Sequence, residues 1–195
     1  TGRWNFAYTG GSAVADPTEL RDKVVGVVGT GATAIQCVPP LGRASKALYV
    51  FQRTPSTVAV RDNGPVDADW LASLKPGWQA ERRRNFTSVL YGGDVEEDLV
   101  RDGWTQIFRA LKSDPRFSRM TPEEAARARE LADIELMEAV RARIDATVRD
   151  PATAEALKPY YPYLCKRPAF HDEYLKAFNL PNVHLVDTQG RGIER

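Results

Sequence analysis

A chain of 195 residues, 43% of them hydrophobic, can bury a full core, as one domain or as one domain with a substantial insertion. Its 27 basic and 26 acidic residues leave a net charge of +1, which excludes the broad electrostatic footprint of a nucleic-acid binder or of a protein held on an acidic membrane, so any recognition of phosphate has to be local. Cys37 and Cys165 offer neither a disulfide framework nor metal-ligand spacing, and no apolar run reaches the roughly 18 to 20 residues of a membrane span; the sequence reads as soluble and cytoplasmic.

The chain opens at Thr1 without an initiator methionine and closes at Arg195 on an aperiodic stretch, which reads as a piece of something longer. Residues 1–22, with Trp4, Phe6 and Tyr8, carry no sustained period and read as an approach segment. Val24-Val25-Gly26-Val27-Val28 is a continuous apolar, β-branched run, the pattern of a strand covered on both faces in a parallel sheet. It leads into Gly29-Thr30-Gly31-Ala32-Thr33-Ala34, then into Ile35, Val38 and Leu41 at helical spacing, with Pro39 and Pro40 expected to bend or end that helix early. Ala47–Phe51 is a second buried strand, which completes a β-turn-α-β unit.

From about Pro65 to Lys158 the period is helical. Asp94 with Glu97, and Thr121 with Glu124, form capping boxes that predict helix starts, and Pro122 fits the first helical position. Leu131, Ile134, Met137, Val140, Ile144 and Val148 mark one apolar stripe of a long helix whose Arg and Glu residues form a solvated face. Asp150-Pro151 starts another helix, Pro159–Tyr163 is a semi-rigid aromatic turn, Asp172–Phe178 a short helix, and Val183–Asp187 a third core-type strand. The predicted fold is α/β, a Rossmann-like parallel sheet binding a dinucleotide, discontinuous over 1–64 and 159–195, with a large helical insertion over 65–158.

Gly29-x-Gly31-x-x-Ala34 follows a strand and opens a helix, the context a dinucleotide fingerprint requires. Gly29 permits the tight turn, Gly31 lets the backbone approach a pyrophosphate, Ala34 allows close helix–strand packing, and the helix N-terminus offers free N–H groups to phosphate. The end of the second strand selects the nucleotide. An NAD site places a carboxylate there for the ribose hydroxyls, whereas here the sequence is Gln52-Arg53-Thr54, and no acidic residue occurs from Gly29 to Arg61. A guanidinium can bond a 2′-phosphate bidentately, so NADP(H) is expected over NAD(H). His171 and His184 lack supporting ligands for a metal, and Asp187 and Thr188 end a strand on the ligand side of the sheet, where either cofactor proximity or strand-end capping accounts for them.

Rival enzyme classes fit poorly. A short-chain dehydrogenase needs Tyr-x-x-x-Lys, and Tyr163 to Lys166 is one residue short; a methyltransferase wants an acid where Arg53 stands. In several separated places the chain instead resembles Baeyer–Villiger monooxygenases of the cyclohexanone monooxygenase type. Thr1-Gly2-Arg3-Trp4 resembles the tail of that family's fingerprint, with Asn5 replacing the usual Pro. Gly29–Gln36 matches its NADPH motif, Val50–Pro55 its 2′-phosphate strand end, and Cys165–Pro168 and Phe178–Thr188 its return to the active site.

The resemblance implies FAD and NADPH as cofactors, a ketone and O2 as substrates, and no nucleic-acid or membrane partner. It implies cofactor contacts from Gly29, Thr30, Gly31, Ala32, Thr33 and Gln36, a 2′-phosphate site of Arg53, Thr54 and Lys166, and a catalytic role for Arg167. There the fixed guanidinium stabilises negative charge as oxygen is delivered to the carbonyl. No second glycine fingerprint enters a helix, so FAD is expected from an FAD domain of the same full-length protein, and this chain alone is expected to be inactive. The alternative is a stand-alone, non-catalytic NADP(H)-binding module or another NADP-dependent oxidoreductase.

Overall fold

The computed structural model describes residues 4–93, 95–105, 119–163 and 165–193. In chain order its elements are α1 (Phe6–Thr9), β1 (Val24–Val28), α2 (Ala32–Ala44), β2 (Ala47–Gln52), β3 (Val58–Ala59), α3 (Ala68–Ser73), α4 (Trp78–Leu90), α5 (Pro122–Thr147), α6 (Pro151–Leu157), β4 (Ala169–Phe170), α7 (Tyr174–Ala177) and β5 (Val183–Asp187). Two compact units divide the chain: Thr1–Ala59 with Met137–Arg195, and Val60–Leu136. The sequence pattern changes at 65 and 159, whereas the packing changes at 60 and 137.

The first unit is built on a parallel sheet in the order β1-β2-β5, with Val28 opposite Phe51 and Gln52 opposite Asp187. Parallel neighbours need a crossover, and α2 supplies it between β1 and β2. That helix does not end at its prolines. Pro39 and Pro40 each remove an N–H from the helical ladder, yet the helix runs on to Ala44, because Val38 and Leu41 on either side of them are buried in the core.

The expectation of strands covered on both faces is corrected. Val24 and Val28 are 65% and 75% exposed, because they lie on the outward face of the sheet with the exposed Tyr49 and His184, while Val25 and Val27 face inward and pack against the core. β2 alternates likewise, with Leu48, Val50 and Gln52 buried and Tyr49 exposed beside His184 of β5, ring centroids 4.9 Å apart. The inward face packs on α2, the end of α5, α6 and α7 through Ile35, Val140, Ile144, Leu157, Tyr174 and Leu175.

A second, two-residue parallel pairing joins β3 to β4, an arrangement no sequence period announces. Arg143 of α5 fastens it, donating from Nη1 to Val58 O at 2.7 Å and from Nη2 to His171 O at 2.9 Å. His171 caps α7: its Nδ1 accepts the N–H groups of Glu173 and Tyr174, each at 3.1 Å.

The apolar stripe of α5 is buried only from Met137 onward; Leu131 and Ile134 are about half exposed. Helix α5 starts as its capping box predicts, with Thr121 N–H on Glu124 at 2.8 Å and Glu124 N–H on the Thr121 hydroxyl at 3.2 Å. The other box is corrected. Asp94 lies outside the described residues, residues 95–101 form no helix, and Glu97 pairs with Arg101. In this second unit Asp67 caps α3, and Trp70 meets Trp78 edge-on at 5.9 Å. The fingerprint tail at Thr1–Arg3 also lies outside the described residues. Among the described residues no helix is long and apolar enough to cross a membrane, and no His, Cys, Asp and Glu group could hold a metal ion.

Candidate functional site

Because β1, β2 and β5 are parallel, their C-terminal ends share one edge of the sheet, where open α/β folds bind ligands. At the end of β1, Gly29 adopts a φ of +97°, which a side chain would strain, and its N–H donates to Phe51 O at 2.8 Å. Gly31 is the N-cap of α2 with an ordinary extended backbone, and a Cβ built on it would meet no atom within 4 Å. That leaves an open approach to backbone and to the free N–H groups of the first helical turn, the chemistry that binds phosphate.

The segment after β2 is tied to this glycine loop. The buried Thr30 hydroxyl donates to Thr54 O at 3.0 Å, and the Ser56 hydroxyl donates to Thr30 O. Tyr161 braces the segment from below: its hydroxyl donates to Pro55 O at 2.9 Å and accepts the Thr57 N–H at 3.0 Å. Its ring carries Lys166 above it, with Nζ 4.8 Å from the centroid, and Lys166 donates in turn to the Thr54 hydroxyl. From β5, Thr188 N–H reaches Gln52 O at 2.8 Å and Gly190 N–H reaches Arg53 O at 3.0 Å.

These ties enclose an open cleft of about 560 Å³ whose lining includes the Gly29–Gly31 loop, Arg53, Thr54, Lys166, Thr188 and Arg191. Among the described residues no acidic side chain lines it. Such a cleft presents N–H donors at one end and cations at the other, which suits a ligand carrying phosphate at two places.

Of the residues singled out from sequence, Gly29, Thr30, Gly31, Arg53, Thr54 and Lys166 are brought together here. Three are not. Ala32 opens α2 without lining the cleft, Thr33 lines a separate groove along β1 with Trp4, Tyr8 and Cys37, and Gln36 donates back to Ala32 O at 3.0 Å. Arg167 is exposed beside Lys166 and does not line this cleft. The Asp187 carboxylate accepts the Gln189 N–H at 2.9 Å, which is strand-end capping. Sequence reasoning missed Ser56, Tyr161 and Arg191. Tyr161 stood in a stretch read only as a semi-rigid aromatic turn, and Arg191 in a tail read as aperiodic.

No protein-family model matches the chain. It is 55% identical over 196 residues to Baeyer–Villiger monooxygenase ATR8 of Stachybotrys chlorohalonatus, covering 98% of this chain and 31% of that protein. Among solved structures it is similar to the polycyclic ketone monooxygenase of Thermothelomyces thermophila, with 46% identity and a TM-score of 0.80 over 97% of this chain and 32% of that one. It is also similar to OTEMO solved in complex with FAD and NADP, with 27% identity and a TM-score of 0.64 over 96% of this chain and 36% of that one. The chain spans about a third of the length of the curated relatives it matches. It is homologous, along nearly its whole length, to that third of Baeyer–Villiger monooxygenases.

Proposed function

We propose that this homologue of one third of a Baeyer–Villiger monooxygenase is the NADPH-binding part of such an enzyme, which inserts one oxygen atom of O2 into a ketone to give an ester or lactone. The observation that carries the reading is the meeting of Lys166 with Thr54, 112 residues away, beside Arg53 in a cleft lined by no carboxylate among the described residues. A 2′-phosphate is the group such a place accepts and NADH lacks.

The residues present fit NADPH. The Gly29–Gly31 backbone and the first turn of α2, at Ala32 and Thr33, take the pyrophosphate, with Gln36 supporting that turn through its bond to Ala32. Arg53, Thr54 and Lys166 take the 2′-phosphate. They do not fit FAD, since among the described residues one glycine loop enters a helix and its cleft is assigned to NADPH. FAD, when bound by the FAD domain of the full-length protein, accepts hydride and activates oxygen. Arg167, next to the 2′-phosphate lysine, is the residue assigned to stabilise negative charge in that step. Half-buried Cys37 and exposed Cys165, both free, suit a reducing cytoplasm.

Titration of the chain with NADPH and NADH tests the nucleotide assignment. NADPH is expected to bind at least about ten-fold more tightly, the worth of one charge-assisted contact, and equal affinities refute it. The oxygenation itself is tested on the full-length protein with FAD, by NADPH oxidation across a ketone panel and detection of ester or lactone product.

A further inference from the structure

We propose that Arg191, on the loop after β5, is a third cation of the 2′-phosphate site and sets cofactor preference together with Arg53 and Lys166. The inference rests on the nucleotide reading above and deepens it. Nothing in the local sequence marks Arg191; its place in the fold does. β5 lies beside β2 with Asp187 opposite Gln52, so the residues that follow the two strands emerge side by side. The loop is then sewn to the end of β2: Thr188 N–H donates to Gln52 O at 2.8 Å, and Gly190 N–H donates to Arg53 O at 3.0 Å.

The loop itself is a tight turn. Arg191 N–H donates to Thr188 O at 3.0 Å, and the two central residues, Gln189 and Gly190, have φ of +52° and +81°. That pairing of positive φ values is the I′ pattern, which glutamine seldom adopts, and the Asp187 carboxylate holds the Gln189 N–H at 2.9 Å to stabilise it. The Thr188 hydroxyl lies between Gln52 O at 3.0 Å and Arg191 O at 2.5 Å and fixes the turn's exit. The effect is to carry Arg191 into the lining of the same cleft as Arg53 and Lys166, against the backbone carbonyl side of Arg53.

Among the described residues of the cleft, three cations with no carboxylate beside them repel one another until a dianion enters. The pyrophosphate end of the cleft, at Gly29–Gly31, already has neutral backbone donors at the end of β1. Arg191 follows β5, on the far side of β2 from that loop, which assigns it to the adenosine end. A planar fork there can bond phosphate oxygens left free by the single point donor of Lys166.

The test is isothermal titration calorimetry of the chain with 2′,5′-ADP and with 5′-ADP, comparing wild type, Arg191→Ala and Arg191→Gln. Thermal unfolding serves as the fold control, and the glutamine variant keeps the side chain's bulk should alanine disturb the turn. The expected result is a loss of about ten-fold or more for 2′,5′-ADP in both variants, with 5′-ADP changed by less than about two-fold. Equal weakening of both ligands overturns the proposal, because Arg191 would then hold the adenine or the loop instead. Unchanged binding of both overturns it while leaving the NADPH reading intact. A wild-type chain that does not prefer 2′,5′-ADP overturns the two readings together.

Discussion

Removing one oxygen atom from Tyr161 should loosen the whole cation end of the cleft. In Tyr161→Phe the ring that carries Lys166 remains, but the hydroxyl's bonds to Pro55 O and to the Thr57 N–H, at 2.9 and 3.0 Å, are lost. The Pro55 carbonyl is half-buried and can turn to water at little cost. Thr57 is only 1% exposed, so its N–H is left without an acceptor, a loss of about 1–3 kcal/mol. Because the Pro55 carbonyl regains a partner from water, the first unit is destabilised by about 1–3 kcal/mol in all. In urea, with a slope of about 2 kcal/mol per molar, the unfolding midpoint followed by circular dichroism should fall by about 1 M. NADP+ affinity should weaken in parallel, because the loop bearing Arg53 and Thr54 is no longer fixed from below. An unchanged midpoint with unchanged affinity would refute the claim that this hydroxyl couples segments 104 residues apart.

Three other perturbations separate backbone, packing and protonation. Arg143→Ala leaves the carbonyls of Val58 and His171 without their donor and should destabilise the first unit by about 2–4 kcal/mol in chemical denaturation; a loss below about 1 kcal/mol would show that the β3–β4 pair stands without it. Gly29→Ala should cost about 1–2 kcal/mol from its φ of +97° alone, since no neighbour lies within 4 Å of the added Cβ, whereas Gly31→Ala should leave the melting temperature unchanged and still abolish NADP+ binding. His171 caps α7 through an unprotonated Nδ1, and burial first of all, with Arg143 adding to it against Asp172 and Glu173, holds its pKa below the ordinary 6.5. Below pH 6.5 the unfolded chain therefore takes up a proton the folded chain resists, and stability declines as pH falls until the folded group titrates too. Unfolding measured from pH 7.5 to 5 should show a shallower decline in His171→Asn, and an identical slope in that variant would exclude the histidine as its source.

What the sequence made legible is what short stretches decide by themselves. A Val-rich run, a glycine where φ must be positive and an oxygen-bearing residue three positions before a Glu act within one turn or strand, and β1, the Gly29 turn and the Thr121 cap follow from them. The rest depends on partners far along the chain. Two-residue strands such as β3 and β4 have no period to detect, and Arg143, whose pKa burial lowers, decides their pairing from a helix between them. The survival of α2 through Pro39 and Pro40 depends on the burial of Val38 and Leu41, which no local rule contains. The exposure of Val24 and Val28 depends on which face of the sheet the helices cover, a property of the packing and not of the run. In the site, Arg53 was legible because the fingerprint predicts its distance from Gly29, whereas Arg191 enters only through strand order.

The division of labour along the sheet edge explains how a chain of net charge +1 can select a heavily anionic cofactor. Charge spread over the surface would attract any polyanion, since screening over about 8 Å at physiological salt leaves only a general attraction beyond that range. On the proposed reading, neutral backbone donors at the end of β1 take charge common to both nicotinamide cofactors and so contribute nothing to choosing between them. On the proposed reading the choice falls to the ends of β2 and β5, where cations stand in a cleft lined by no carboxylate among the described residues and where Lys166 is held by Thr54 and Tyr161. Parallel pairing makes this separation possible, because it puts three strand ends on one edge about 4.8 Å apart and in fixed order. An antiparallel arrangement of the same three segments would send the end of β2 to the opposite edge, and Arg53, proposed to read the 2′-phosphate, would no longer share a ligand with the glycines proposed to hold its pyrophosphate.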